Sequence, residues 1–271
     1  MESAVYLIQA NVIVTDIDST LVDQTYDLSP TAPYLHSFLG HGGYIVFATT
    51  KTIDEVLLYI HQWSLPKTRI FIVAEAGGLV AGIDLEKYDS TYRGYRILEL
   101  GTRLREGDLE IVRRSKCRPR GYRDMDPGEL EAVAGLRGEY AVAARNRWFT
   151  ESLYSPDREC LVELGDQYRS MGYFVHMGRR FLTIGRIPGK RVGVRAVLEY
   201  SARLSTSGCT VYGFGDADMD TGMLEDADYA FLVPSYAEVV LRRSDYIKAP
   251  MPAPGGWIYL YEKYVHPRIL G

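Results

Sequence analysis

Two carboxylates stand two positions apart at the end of the first apolar run of this sequence. Residues 12–15 form a β-branched run that predicts a buried strand, and Asp16 and Asp18 follow it directly. Side chains two positions apart in an extended chain point the same way, so both carboxylates are expected in one small volume. They repel one another there unless a cation or a proton intervenes. The pair therefore indicates a metal-assisted nucleophile beside an acid/base group.

An alternation of strands and helices is predicted to position these carboxylates. Ser29 and Pro30 are typical of a helix start, and that helix is predicted to end at Gly42 and Gly43. Buried strands are predicted at 44–48 and 69–74, and the helix between them covers 53–63, with Thr52 as cap and Glu55 completing a capping box. Such alternation predicts an α/β fold with a Rossmann-like parallel sheet.

The next hundred residues lose this rhythm and are charged and rich in arginine. Within them we predict a helix over 127–136 and a β-hairpin over 173–184. The alternation then resumes, with a helix at 191–204 and strands at 209–214 and 228–233. We therefore predict a core made of residues 1–81 and 184–271, and an inserted α/β domain made of residues 82–183.

Further polar residues fall at the predicted carboxyl ends of the strands, where open parallel sheets bind ligands. Thr49 follows the second strand, Asp216 and Asp220 follow the strand ending at Phe214, and Lys190 begins the preceding helix. This set suits phosphoryl transfer to a carboxylate, which needs a hard cation and fixed donors around an anionic phosphate.

The chemistry assigns a role to each group. We expect Asp16 to be the nucleophile and a Mg²⁺ ligand, and Asp18 to protonate the leaving alcohol and then activate water. Asp216 is expected to be the second carboxylate ligand, and Asp220 a further ligand or a group that orients water. Thr49 would donate its hydroxyl to phosphate, and Lys190 would supply a point charge. Glu75 is as plausibly a partner of loop amides as a site residue.

Composition excludes several other classes of protein. The chain has 271 residues, a net charge of -4 and a pI near 5.8, which argues against a general nucleic-acid-binding surface. Three cysteines without CxxC spacing indicate neither a disulfide framework nor a zinc site. Because no signal peptide or apolar run of membrane-spanning length is found, we expect a cytoplasmic protein without membrane partners.

Two rival motifs fail on individual positions. The segment from Asp216 to Asp220 resembles the start of an EF-hand loop, but Thr221 stands at the glycine position and Ala227 at the final glutamate position. Gly213 and Gly215 begin a dinucleotide fingerprint, but Asp218 stands at its third glycine.

The ordered motifs resemble the haloacid dehalogenase-like phosphatase superfamily. Its four motifs are a DxDxT loop, a Ser or Thr after the second strand, a Lys, and a GDxxxD segment. They correspond here to residues 16–20, Thr49, Lys190 and residues 215–220. The resemblance implies a catalytic core with an inserted α/β cap of the Cof-type, or C2, class. It also implies that the backbone carbonyl of Asp18 is a metal ligand.

Further segments resemble the mannosyl-3-phosphoglycerate phosphatases within that superfamily. They are residues 49–52, 75–78, 98–101, 144–151 and 254–257. The resemblance implies hydrolysis of 2-O-mannosyl-3-phosphoglycerate to mannosylglycerate, a compatible solute, through an aspartyl phosphate. Phosphate or substrate contacts are then expected from Thr20, Thr50, Lys51, Arg145, Arg147, Glu151 and Arg179.

The sequence departs from the usual pattern at Ser19, Ala76 and Met219, and these changes leave the choice of substrate open. Another sugar phosphate, such as glucosyl-3-phosphoglycerate or sucrose phosphate, is the first alternative. A phosphomutase and a degenerate phosphate-binding protein are the others. In each case the expected partner is a small phosphorylated sugar or sugar acid, and the chain is expected to be a monomer or a homodimer.

Overall fold

A nine-stranded sheet forms the centre of the molecule in the computed structural model, which describes residues 9–205, 208–235, 239 and 241–270. Its strands are β1 (Ala10–Thr15), β2 (Tyr44–Ala48), β3 (Ile70–Ala74), β4 (Leu79–Gly82), β5 (Ser90–Tyr92), β6 (Tyr95–Glu99), β11 (Cys209–Gly215), β12 (Tyr229–Leu232) and β13 (Ile247–Lys248). They lie in the order β13-β12-β11-β1-β2-β3-β4-β6-β5.

The strands from β13 to β3 are parallel, and β4, β6 and β5 extend the sheet in antiparallel pairings. The central strand β1 lies between β2 and β11, so strand order reverses beside β1. This is the place where a doubly wound sheet binds its ligands. The predicted α/β class and parallel sheet are confirmed.

Helices cover both faces of this sheet and bury two apolar clusters. Ile13 and Phe47 belong to one cluster, while their chain neighbours Val14 and Val46 belong to the other, as alternation along a strand requires. The helices of the chain are α1 (Ala32–Gly40), α2 (Ile53–Gln62), α3 (Glu110–Arg114), α4 (Pro127–Ala134), α5 (Glu139–Arg145), α6 (Arg158–Ser170), α7 (Lys190–Tyr200), α8 (Thr221–Asp226), α9 (Gly255–Leu260) and α10 (His266–Leu270).

The starts of the first two helices contrast. For α2 the predicted capping box is confirmed, since the Thr52 side chain accepts the Glu55 amide and the Glu55 side chain accepts the Thr52 amide. For α1 the predicted start at Ser29 and Pro30 is wrong by two residues, because the helix begins at Ala32. The Ser29 amide instead donates to the Asp27 carboxylate, which keeps this segment in a turn.

A second, four-stranded antiparallel sheet lies in the inserted segment. Its strands are β7 (Arg120–Gly121), β8 (Thr150–Tyr154), β9 (Phe174–Met177) and β10 (Phe181–Gly185), in the order β7-β8-β10-β9. The predicted hairpin is confirmed as the pair β9 and β10. Helices α4 and α6 have the side-chain caps Asp126 and Asp157, and apolar clusters separate from the two of the large sheet lie here.

The predicted insertion at 82–183 overlaps the large sheet at its start. Strands β5 and β6 belong to the large sheet. An antiparallel bridge between Thr102 and Arg186 joins the segment that follows β6 to the segment that follows β10. The structure thus places residues up to Glu99 with the core sheet. An alternating apolar pattern predicts a strand but not its partner, because tertiary packing decides that β6 pairs with β4.

Cys117 and Cys160 form a disulfide within the inserted segment, across a sequence separation of 43 residues. The cysteine spacing did not indicate a disulfide framework, yet the structure pairs these two residues, while Cys209 is free. Their separation in sequence hides the pair, since only the fold brings the two chain segments together. Across the described residues, no helix combines the length and apolar character needed to cross a membrane.

Candidate active site

Three buried carboxylates meet at the carboxyl edge of the large sheet. Asp16 follows β1 and Asp216 follows β11, and the Asp16 amide donates to the Phe214 carbonyl across this strand pair at 3.1 Å. One carboxylate oxygen from each of Asp16, Asp216 and Asp220 lies within 4.8 Å of the others. The strand pairing therefore brings together acidic groups that are 200 residues apart in sequence.

Lys190 joins two of these carboxylates. It is the first residue of α7, and its Nζ lies 2.9 Å from Asp16 Oδ1 and 2.7 Å from Asp220 Oδ1. The other oxygen of Asp220 accepts the amides of Asp216 and Ala217, each at 3.0 Å. Both oxygens of Asp220 are thus already engaged by the protein. Its contacts fit the orienting role better than that of a direct metal ligand.

The charges at this edge do not balance. When all three are ionised, Asp16, Asp216 and Asp220 carry three negative charges against one positive charge on Lys190, which leaves two negative charges. Burial raises the pKa of Asp16 well above its usual range, Lys190 lowers it, and the neighbouring carboxylates raise it further. Burial and Asp220 raise the pKa of Asp216 to about 7. Buried oxygen donors with this charge fit a hard divalent cation such as Mg²⁺.

Thr20 supports the cluster through a hydrogen bond to Asp216. Its hydroxyl donates to Asp216 Oδ1 at 2.9 Å, and the residue is fully buried. The structure therefore places Thr20 against a carboxylate and not on the cavity wall. Between Asp18 and Thr20, Ser19 has a φ of 60°, in the left-handed region that favours glycine. The serine at this position keeps the loop conformation that glycine adopts most readily.

Asp18 faces the cavity and pairs with Lys51. The Lys51 Nζ lies 3.0 Å from Asp18 Oδ1 and 3.7 Å from Glu55 Oε1, and it sits 4.7 Å from the centre of the Tyr26 ring. Burial lowers the pKa of Lys51, but Asp18 and its other neighbours outweigh this effect and raise it. Lys51 therefore stays charged and orients Asp18, while lying outside the cavity lining.

Thr49 and Thr50 occupy different surroundings at the end of β2. Thr49 is fully buried, and its hydroxyl accepts the Lys51 amide at 3.2 Å. Thr50 lines the cavity. Both residues follow a strand that is paired with β1, since Phe47 pairs with Thr15, and Asp16 comes directly after β1. Only Thr50 of the two is in the cavity lining.

A cavity of about 560 Å³ lies between this edge and the four-stranded sheet. Its floor includes Asp16, Asp18, Lys190 and Asp216, and its opposite wall comes from the inserted segment and the loop after β1. The wall contains side chains absent from the predicted site, namely Tyr26, Tyr122, Ser152, His176, Arg180, Phe181 and Thr183. The hairpin over 173–184 was predictable, but which of its residues face the core depends on strand register.

The four predicted contacts from the inserted segment separate into two groups. Arg179 lines the cavity, at the turn between β9 and β10. Arg145, Arg147 and Glu151 are not in its lining. The Arg147 guanidinium donates to the Thr50 carbonyl at 2.6 Å and to the Thr150 hydroxyl, so it fixes the loop that carries Thr50.

Glu151 and Arg145 hold the backbone behind the wall. Glu151 accepts the amides of Tyr122 and Ser152 and lies 3.2 Å from the Nε of Arg123. Burial raises the pKa of Glu151 to about 7, although the nearby arginines lower it. Arg145 donates to the Arg123 carbonyl. These contacts support residues of the wall instead of reaching the cavity.

Glu75 and His176 differ in their surroundings, since one binds loop amides and the other lines the cavity. Glu75 accepts the amides of Trp148, Phe149 and Thr150 and the Thr150 hydroxyl, at 2.7–2.9 Å, so it serves loop amides of the inserted segment. Burial lowers the pKa of His176, Lys190 lowers it further, and Asp220 and Asp218 partly offset this. The lowered pKa favours the neutral form of the His176 imidazole, which lies in the cavity wall.

Sequence comparison finds relatives along most of the chain. No protein-family model matches it. A glucosyl-3-phosphoglycerate/mannosyl-3-phosphoglycerate phosphatase of Persephonella marina is 28% identical over 91% of this chain and 94% of its own length. A mannosyl-3-phosphoglycerate phosphatase of Aeropyrum pernix is 26% identical over 93% of this chain and 94% of its own. One of Pyrococcus horikoshii is 26% identical over 82% and 90%.

Solved structures share the fold at lower identity. A haloacid dehalogenase-like hydrolase of Bacteroides thetaiotaomicron has a TM-score of 0.69 at 15% identity, over 97% of this chain and 99% of its own. The sucrose-phosphatase of Synechocystis has a TM-score of 0.61 at 14% identity, over 94% and 98%. The chain thus has the fold of haloacid dehalogenase-like hydrolases and is a homologue of mannosyl-3-phosphoglycerate phosphatases, which confirms the resemblance read from its motifs.

Proposed function

We propose that this protein is a Mg²⁺-dependent phosphomonoesterase that hydrolyses 2-O-mannosyl-3-phosphoglycerate to mannosylglycerate and phosphate. The observation that carries the proposal is the buried cluster of Asp16, Asp216 and Asp220 around Lys190, on the floor of a cavity large enough for a small phosphorylated ligand. The specific substrate is inferred from the names of the relatives.

In the first step an oxygen of Asp16 attacks phosphorus, and the bond from phosphorus to the alcohol oxygen breaks. Asp18 gives its proton to the departing oxygen, so the product leaves as an alcohol. Lys190 stabilises the charge on the transferring group from its position beside Asp16. The result is an aspartyl phosphate on Asp16.

In the second step Asp18, now a carboxylate, takes a proton from water, and that water attacks phosphorus. The bond from Asp16 to phosphorus breaks and phosphate leaves. Lys51, 3.0 Å from Asp18, holds the carboxylate towards the cavity during both proton transfers. Mg²⁺ would be held by Asp16, Asp216 and the backbone carbonyl of Asp18, and would neutralise phosphate oxygens.

The inserted segment would act as a cap that covers the site and contacts the non-phosphate part of the substrate. Its four-stranded sheet supplies one wall of the cavity, and Arg179 lies at the turn of its hairpin. A guanidinium fork can bind a carboxylate bidentately, which fits the acid group of the phosphoglycerate. Glucosyl-3-phosphoglycerate is the second candidate substrate, because two of the relatives carry both names.

Phosphate release from a panel of esters tests the proposal. With Mg²⁺, we expect turnover of mannosyl-3-phosphoglycerate above that of sucrose phosphate and simple sugar phosphates, and loss of turnover on chelation. Asp166→Asn, which changes an exposed carboxylate of α6, is the matched control for Asp16→Asn. Full activity of Asp16→Asn, or full activity after chelation, would overturn the proposed mechanism.

A further inference from the structure

Three polar side chains form a straight row across the four-stranded sheet. Thr183 on β10 lies directly opposite Ser152 on β8 and directly opposite His176 on β9. Directly opposite residues share one face of a sheet, and all three line the cavity. The Ser152 and Thr183 hydroxyl oxygens are 3.4 Å apart. The row and the carboxylates at the edge of the large sheet therefore line the same cavity.

An aromatic patch lies beside this row. Two positions before Thr183, Phe181 lines the cavity and pairs with Tyr154 on the neighbouring strand. The Tyr122 ring also lines the cavity and meets Phe181 edge to face, with ring centres 5.2 Å apart at 90°. The wall thus offers a line of hydrogen-bonding groups next to an apolar surface.

The groups of the row retain hydrogen-bonding capacity. Each hydroxyl can donate once and accept twice, and a neutral imidazole can donate once and accept once. Within the described part of the chain, the hydroxyls of Ser152 and Thr183 meet each other only at the limit of hydrogen-bond distance, and no hydrogen bond involves the His176 ring. Such groups in a cavity wall are suited to a ligand that supplies hydroxyls.

A sugar ring matches this wall better than either charged end of the proposed substrate does. A pyranose presents hydroxyls that both donate and accept, and C–H faces that pack on aromatic rings. The phosphate is matched by Lys190 on the floor, and a carboxylate by Arg179 and Arg180 at the hairpin turn. We propose that Ser152, Thr183 and His176, with Phe181 and Tyr122, form the subsite that binds the sugar ring.

This inference rests on the proposed function and is tested by selectivity. Mannosyl-3-phosphoglycerate and 3-phosphoglycerate carry the same phosphate and carboxylate and differ by the sugar. We define selectivity as the ratio of their kcat/KM values with the Mg²⁺-loaded enzyme. Loss of one hydrogen bond to the sugar should lower this ratio roughly threefold to tenfold in each of Ser152→Ala, Thr183→Val and His176→Gln.

Ser170→Ala is the control, because it removes an exposed hydroxyl on α6 outside the cavity, and its ratio should equal that of the wild type. Melting temperature in the presence of Mg²⁺ shows whether each variant folds. Equal losses on both esters, or an unchanged ratio in all three variants, would overturn the subsite. A wild type that hydrolyses esters without preferring the sugar-bearing one would overturn the proposed substrate, and the subsite with it; one that hydrolyses neither would overturn the enzyme assignment itself.

Discussion

The floor and the opposite wall of the cavity are built from different kinds of structure. The floor lies at the carboxyl edge of the parallel sheet, where charged groups sit at strand ends and helix starts and are buried among ion pairs. The opposite wall lies on the face of an antiparallel sheet, where neutral polar and aromatic side chains stand in rows set by strand pairing. Under the proposed function, chemistry and selectivity would lie on separate surfaces, so a change in one of them should leave a distinct kinetic signature.

The largest effect is expected on the floor, from Lys190→Met. Without this charge, Asp16 and Asp220 would repel one another, and the transferring phosphoryl group would lose a positive charge beside Asp16. We expect kcat to fall roughly a hundredfold to a thousandfold, to the same extent for sugar-bearing and sugar-free esters. Steady-state kinetics on both esters measures this.

Arg191→Met is the matched control, since Arg191 is the next residue of the same helix and pairs with Asp226. Its kcat should stay within about twofold of the wild type, because exposed ion pairs contribute little. A Lys190→Met enzyme that keeps most of its activity would remove Lys190 from the mechanism.

A smaller effect is expected from Thr49 and Thr50, which follow β2. The Thr49 hydroxyl accepts the Lys51 amide and keeps its own proton to donate, so Thr49→Val should lower kcat about tenfold. Thr50 lines the cavity, and Thr50→Val should chiefly raise KM. The reverse pattern would make Thr50 the phosphate donor. Kinetics of the two variants on one ester decides between them.

The dependence of metal binding on pH follows from the raised carboxylate pKa values. Asp216 has a pKa of about 7 in the metal-free protein, above its unfolded value. Between about pH 4 and 7 the native state keeps protons that the unfolded state has lost, so metal-free stability falls as pH rises through this window. A divalent cation displaces these protons. The rise in Tm on adding Mg²⁺ should therefore be larger at pH 8 than at pH 5.5.

Asp216→Asn sharpens this measurement, because it removes the titrating group while keeping the side-chain shape. The variant should show a smaller Mg²⁺-dependent shift in Tm, with less change between the two pH values. A Mg²⁺ shift that is equally large at both pH values in the wild type would contradict the account of the acidic cluster.

The smallest effect on turnover is expected from the disulfide of the inserted segment. Closing a loop over a separation of 43 residues stabilises a fold by about 2–4 kcal/mol. Cys117→Ser should lower Tm and leave kcat at 25 °C unchanged, since neither cysteine lines the cavity. Cys209→Ser, at the free cysteine, is the control. A large fall in kcat at constant Tm would link the disulfide to catalysis.

The contrast between the walls also explains what sequence patterns can predict here. Asp16, Lys190 and Asp216 were predictable because strand ends and helix starts are local features, and parallel strands bring their carboxyl ends together. The capping box of α2 was predictable for the same reason. The exact start of α1 was not, because the Asp27 carboxylate accepts the amide of Ser29 and the chain forms a turn before Ala32.

Residues of the opposite wall depend on which strands pair and in which register. His176 and Ser152 share the row with Thr183 only because β8 and β9 both pair with β10. Arg145, Arg147 and Glu151 fit a substrate-binding pattern, yet they contact backbone groups and protein side chains, and none of the three lines the cavity. The pairing of Cys117 with Cys160 is non-local in the same way.

The central claim, that Asp16 becomes phosphorylated and Asp18 moves protons, is tested most directly with Asp18→Asn and p-nitrophenyl phosphate. p-Nitrophenolate leaves without a proton, so this variant should form the aspartyl phosphate but hydrolyse it slowly. We predict a rapid burst of about one equivalent of p-nitrophenolate per enzyme, followed by a slow steady state. The double variant Asp16→Asn/Asp18→Asn should show no burst. A burst in the double variant, or slow release without a burst in Asp18→Asn, would contradict the account.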